Sequence, residues 1–263
     1  MSGNSAFVLV DERGWRRGFR NMLNSELAHW WKTNMWWIQV IIWISIVGFL
    51  LGTVLFAGVD ITFNDAIMVY SVFAGLFPSV GVVIILQDAI VGDRESGAAA
   101  WVLSKPVSRS AFILSKLAAH SLGVFATMVL APGVVAYVMF SLSGQANFTL
   151  LQFALALGAL FLSQLYFLTL TLMLGTLFKG RGPVIGIPLG VLFMQQNLIG
   201  MFIPLKYILP WTLVIPPGGG SDALVPAMLL GQPVPSVLQI ALVSLQIMLF
   251  AAVALWRFQK EEF

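Results

Sequence analysis

The sequence contains no cysteine and only two histidines, His29 and His120. Disulfides, thiolate nucleophiles and cysteine-ligated metals are therefore excluded. The two histidines are far apart in the chain and are read as interfacial or packing residues rather than as a zinc pair. Charge is also scarce. Asp, Glu, Lys and Arg make up 10% of the 263 residues, against roughly 25% in a soluble domain. None of them lies inside any of the long apolar runs. Ion-coupled carriers and proton pumps keep ionisable groups at mid-membrane in spite of their cost there, so this absence argues against a proton relay or a charged ion filter. The chain has no G-x-x-x-x-G-K-[ST] phosphate loop. No nucleophile, base and orienting group cluster as a hydrolase needs. No catalytic or metal-binding residue is assigned.

What the chain has is apolar length. Hydrophobic residues make up 59% of it, and the mean hydropathy is +0.92. A spanning helix needs about 20 mostly apolar residues. Six segments meet that, at roughly 36–59, 66–86, 117–142, 150–178, 183–203 and 237–256. Four regions hold all but one of the 14 Lys and Arg residues: 1–34, the loop between the second and third runs, Lys179 with Arg181, and Arg257 with Lys260. Lys206 is the exception. Six spans put those four regions on one face, and the basic bias of inner loops makes that face cytoplasmic, with both termini inside a cell or inner membrane.

The expected fold is an all-α integral membrane protein with six transmembrane helices. An amphipathic interfacial helix precedes them in residues 1–34, and the spans occupy 35–263. Over 11–34, Arg16, Arg17, Arg20 and Lys32 suit lipid headgroups, while Phe19, Leu23, Leu27, Trp30 and Trp31 supply an apolar side. Trp30, Trp31, Trp36 and Trp37 are expected to form an aromatic belt. The outer segment 204–236 carries seven of the twelve prolines and Gly218, Gly219 and Gly220, a density that breaks regular helix. Short outer helices, re-entrant or interfacial, are expected there before the last span. Pro78, Pro132 and Pro188 fall within spans, where kinks are expected and neighbours can satisfy freed carbonyls.

Polar groups within or beside the runs are amides and hydroxyls. Gln39, Gln164, Gln195, Gln196 and Asn197 can line a translocation path or bond across helices. An uncharged path suits a lipid-like or amphipathic substrate.

The longest inner connection is 87–116, QDAIVGDRESGAAAWVLSKPVSRSAFILSK. Gly92 and Gly97 punctuate it, Ala98–Leu103 can form a short helix, and Ser108 is placed to cap the helix that runs on through Lys116. The run Arg94-Glu95-Ser96-Gly97, then Leu103-Ser104-Lys105-Pro106-Val107-Ser108-Arg109 and Lys116, resembles the region between the second and third helices of type-2 ATP-binding-cassette (ABC-2) permeases. Ala98 stands where that family usually has threonine. The resemblance extends to the six-helix plan, the amphipathic N-terminus and the broken outer segment.

It implies the membrane subunit of an ATP-driven exporter. Two such chains would pair, most simply as a homodimer, over two cytoplasmic ATPase subunits. A short coupling helix in this loop would fit a groove on each ATPase. Asp93, Arg94, Glu95, Ser96 and Gly97 would lie at the coupling contact, and Lys105, Pro106 and Arg109 would shape the following turn. ATP and magnesium would bind the partner, not this chain, and no nucleic acid is expected. Ser141-Leu142-Ser143-Gly144-Gln145 has the look of the ATPase signature but falls on the outer side, where no ATP is available. The competing reading is a passive channel or a regulatory scaffold without an ATPase.

Overall fold

The computed structural model describes residues 14–56, 62–216 and 223–261. Among them all regular structure is helical, and six helices are long and apolar enough to cross a membrane: Met35–Phe56, Phe63–Glu95, Arg109–Leu142, Leu150–Leu177, Arg181–Met201 and Val237–Gln259. The protein is thus an all-α membrane protein of six spans, numbered here first to sixth. The expected first span ends at 59, and its last three positions lie outside the described residues, as do Arg13 and Gly218, Gly219 and Gly220.

The fourth span is the hub. It packs against the second, third and sixth spans, and the second also meets the fifth. The first, fifth and sixth spans keep most of their surface uncovered, as helices do whose solvent is lipid or another chain. The second and fourth spans both start on capping boxes, Thr62 with Asp65 and Thr149 with Gln152, which satisfy amide donors that have no partner within a helix. Near those starts Tyr70, Tyr137, Phe140, Phe148 and Phe153 pack ring to ring. Toward the other face a second cluster forms around Trp30, Trp43, Ile90, Phe112 and Phe258, with Phe112 and Phe258 stacked at 5.2 Å.

Two spans are longer than expected. The second continues beyond 86 to Glu95, because nothing stops it before Gly97, which takes a left-handed φ of 75°. At 1.5 Å per residue its length is about 50 Å, well beyond a hydrocarbon core of about 30 Å. The third starts at Arg109, capped by Ser108, whose hydroxyl accepts from the Ala111 amide at 3.0 Å. It widens into a π turn at Phe125–Leu130 before Pro132. The wider turn covers Met128, whose carbonyl the Pro132 ring would otherwise crowd. At Pro78 the freed carbonyl belongs to Ala74, and Gln164 of the fourth span donates to it at 3.4 Å.

The proline-rich segment is packed into the bundle. A 3₁₀ turn at Ile203–Tyr207 is followed by helices Trp211–Val214 and Leu224–Leu229. Leu213, Val214, Leu224 and Val225 are buried. A Cβ on Gly75 of the second span would collide with the Val214 side chain. These are short helices that dip between spans rather than lie on the interface.

The interfacial helix spans Phe19–Lys32, following a 3₁₀ turn at Gly14–Arg16 and a left-handed Gly18. It is clamped to the third span. The Ser108 amide donates to the Arg17 carbonyl at 3.0 Å, and the Ser108 hydroxyl donates to the Trp15 carbonyl at 2.8 Å. Trp30 leaves the expected belt. It is 1% exposed, pressed against Gly123, where a Cβ would strike its ring, and it donates to His120 Nδ1 at 3.2 Å. Trp31, Trp36 and Trp37 remain on the surface.

Candidate functional site: the charged face

All the described basic regions expected on one side meet on one face, and Lys206 stands apart from them beside Tyr207 on the other. On that face the eight residues expected at the coupling contact divide into two groups.

One group faces inward. Arg94, with 13% of its side chain exposed, reaches across to the end of the fourth span. Its Nη1 donates to the Gly175 and Phe178 carbonyls at 2.8 and 2.9 Å, and its Nη2 to the Thr176 carbonyl at 3.3 Å. Nη2 also pairs with Glu261 at 2.7 Å. The guanidinium thus closes helix-end carbonyls that have no partner within the helix and meets the negative end of the helix dipole. Asp93 accepts from Lys116 at 2.7 Å, and Lys116 also holds Glu26 of the interfacial helix at 2.7 Å. Arg109 donates to the Gln259 carbonyl at 2.6 Å. Together these ties bind the second, third, fourth and sixth spans and the interfacial helix into one plate.

The other group faces out. Glu95, Ser96, Gly97, Lys105 and Pro106 are exposed around the short helix Ala98–Leu103. Glu95 pairs with Arg181 at 2.8 Å, and Arg181 also meets Asp88 at 2.9 Å. The short helix buries Ala99 and presents Trp101, which is 64% exposed and lies beneath Lys105 Nζ, 3.3 Å from its ring centroid. Sequence reasoning missed Trp101. A tryptophan inside a charged loop was the available signal. It also missed Glu26, Arg181 and Glu261, whose partners are distant in the chain.

The five polar candidates for a path are not gathered in this chain. Gln39 accepts from Trp43 Nε1 at 2.8 Å near the charged face. Gln164 and Gln195 point into the bundle, and Gln195 donates to the Leu192 carbonyl at 3.1 Å. Gln196 and Asn197 lie on the outer surface of the fifth span, beside exposed Phe193 and Met194. Two large cavities open on the charged face. One, of about 550 Å³, lies between the interfacial helix and the first three spans. The other, of about 540 Å³, separates the interfacial helix from the short helix.

Residues 36–263 match the family described as "Protein of unknown function (DUF2705)", and the chain belongs to that family. No curated protein matches it.

Proposed function

We propose that the chain is the membrane subunit of an ATP-driven exporter, gripped by a separate ATPase on its charged, cytoplasmic face. The observation that carries this reading is the short helix Ala98–Leu103, exposed at Trp101 and fixed to the end of an unbroken 33-residue second span. A push on that helix is delivered along a rigid rod to the opposite face of the bundle, as a rocking transition requires. The inward ties of Asp93, Arg94 and Arg109 keep the rod from bending away from its neighbours, while Glu95 and Lys105 supply rim charges that set partner choice and register.

A second copy of the chain fits the same scheme. Gln196 and Asn197 project from the fifth span between one and two turns from its end, and unpaired amides are costly against lipid. Pairing two fifth spans would cover them and place them along a path between protomers.

The test is co-purification with a candidate phosphate-loop ATPase. A stable complex is expected, and Trp101→Ala and Glu95→Ala should weaken it and lower transport-coupled ATP hydrolysis. Failure to form a complex, together with solute flux in ATP-free liposomes, would favour a passive channel instead.

A further inference from the structure

The 550 Å³ cavity behind the interfacial helix adjoins the coupling face, with Asp93 common to both, and its walls have an uneven chemistry. Glu26 comes from the interfacial helix, Gln87, Asp88 and Asp93 from the second span, and Lys116 and His120 from the third. Acceptors dominate one side. Among the described residues, three carboxylates share Lys116 and Arg181 as cationic partners, and Gln87 Oε1 is buried with no hydrogen-bond partner. An unpaired buried acceptor carries the desolvation cost of its lone pairs. On the other side His120, 5% exposed, accepts the Trp30 indole proton on Nδ1. Its own proton therefore sits on Nε2, for which the described residues supply no acceptor.

The position of the cavity narrows the ligand. Trp31, Trp36 and Trp37 are exposed beside it and mark the headgroup level of a bilayer. Ile84, which also lines the cavity, is exposed on the flank of the second span, so the polar chamber continues into an apolar track. A ligand that matches has an ammonium with several N–H donors, an anionic oxygen a short distance away, and an acyl tail.

We propose that this cavity binds an amine-headed phospholipid of the phosphatidylethanolamine type. The ammonium would sit beside Asp88 and Asp93, and the phosphate would accept from His120 Nε2 and face Lys116. The shared chemistry is phosphoethanolamine, whether free or on a lipid. A choline headgroup lacks N–H donors and cannot hydrogen-bond to Asp88 or Asp93. The proposal does not depend on an ATPase partner.

The test is lipid retention by the full chain purified from vesicles holding equal amounts of phosphatidylethanolamine and phosphatidylcholine. One to two hydrogen bonds of difference correspond to a preference of about threefold to tenfold for the ethanolamine lipid. Asp88→Asn and Asp93→Asn should each reduce it. Arg181 keeps Glu95 as a partner in the first variant, and Lys116 keeps Glu26 in the second, so both should fold. Thermal unfolding with free phosphoethanolamine separates the sources. A shift equal to that from the whole lipid supports a soluble zwitterion in the same site, and a shift with lipid alone supports the bilayer as the source. Equal retention of the two lipids by the unmodified chain, or an undiminished preference in both variants, overturns the proposal.

Discussion

Lys116 holds two carboxylates from two different elements while only 5% of its side chain is exposed. Removing one member of such a buried group leaves uncompensated charge, at a cost of about 3–5 kcal/mol. Lys116→Ala should therefore lower the unfolding temperature sharply in detergent, and the double change with Glu26→Gln should recover part of the loss. An unchanged transition would mean that the ion pairs contribute nothing. Gly123 offers a second case. A methyl group there meets the Trp30 ring, and overpacking typically costs about 1–3 kcal/mol. Gly123→Ala should loosen the interfacial helix, measured as faster proteolysis near residues 14–32. Neither contact is visible in the sequence. Glu26 and Lys116 are separated by two whole spans, and an isolated Trp30 beside Trp31 reads as a belt residue until Gly123 and His120 are placed under it. Gln164 is different. It was open to a path or a cross-helix role, and its bond to the carbonyl freed by Pro78 gives it the second.

At the scale of elements, hydropathy located all six spans but not their charged ends. The apolar window of the second span closes near Leu86, yet its helix continues through Asp88, Asp93 and Arg94 because each finds a partner on a neighbouring element. A window of hydropathy has no knowledge of such partners. The local start signal was legible, since Ser108 caps the helix through Lys116 that continues as the third span, whereas of the two glycines that punctuate the loop Gly92 lies inside the second span and only Gly97 follows its end. The short helices Trp211–Val214 and Leu224–Leu229 were legible only as broken structure, since the burial of the first depends on Gly75 opposite Val214. The short helix Ala98–Leu103 has six residues and rests mainly on Ala99. Val102→Pro should disrupt it, because a proline there, beyond the first turn, removes the amide that closes on the Ala98 carbonyl and crowds that carbonyl. The spans should still fold, as judged by an unchanged helical circular dichroism signal, while ATPase binding falls at least tenfold. Loss of folding along with binding would mean that the short helix is part of the core.

For the whole molecule, the uneven covering of the spans suits a paired assembly: the fourth is enclosed, and the first, fifth and sixth are open. The exporter reading predicts a complex with the mass of two copies of this chain and two ATPases in mild detergent. Asn197→Leu and Gln196→Leu should leave each chain folded and alter pairing or transport. The lack of cysteine, which excludes so much chemistry, makes the decisive measurement simple. Ala100→Cys introduces a single thiol on the exposed side of the short helix and leaves Trp101 in place, and a membrane-impermeant maleimide can report where it lies and what covers it. The exporter reading predicts labelling only from the cytoplasmic side, and protection when the partner ATPase is bound. Labelling from the outside, or unchanged labelling with the ATPase present, would contradict it.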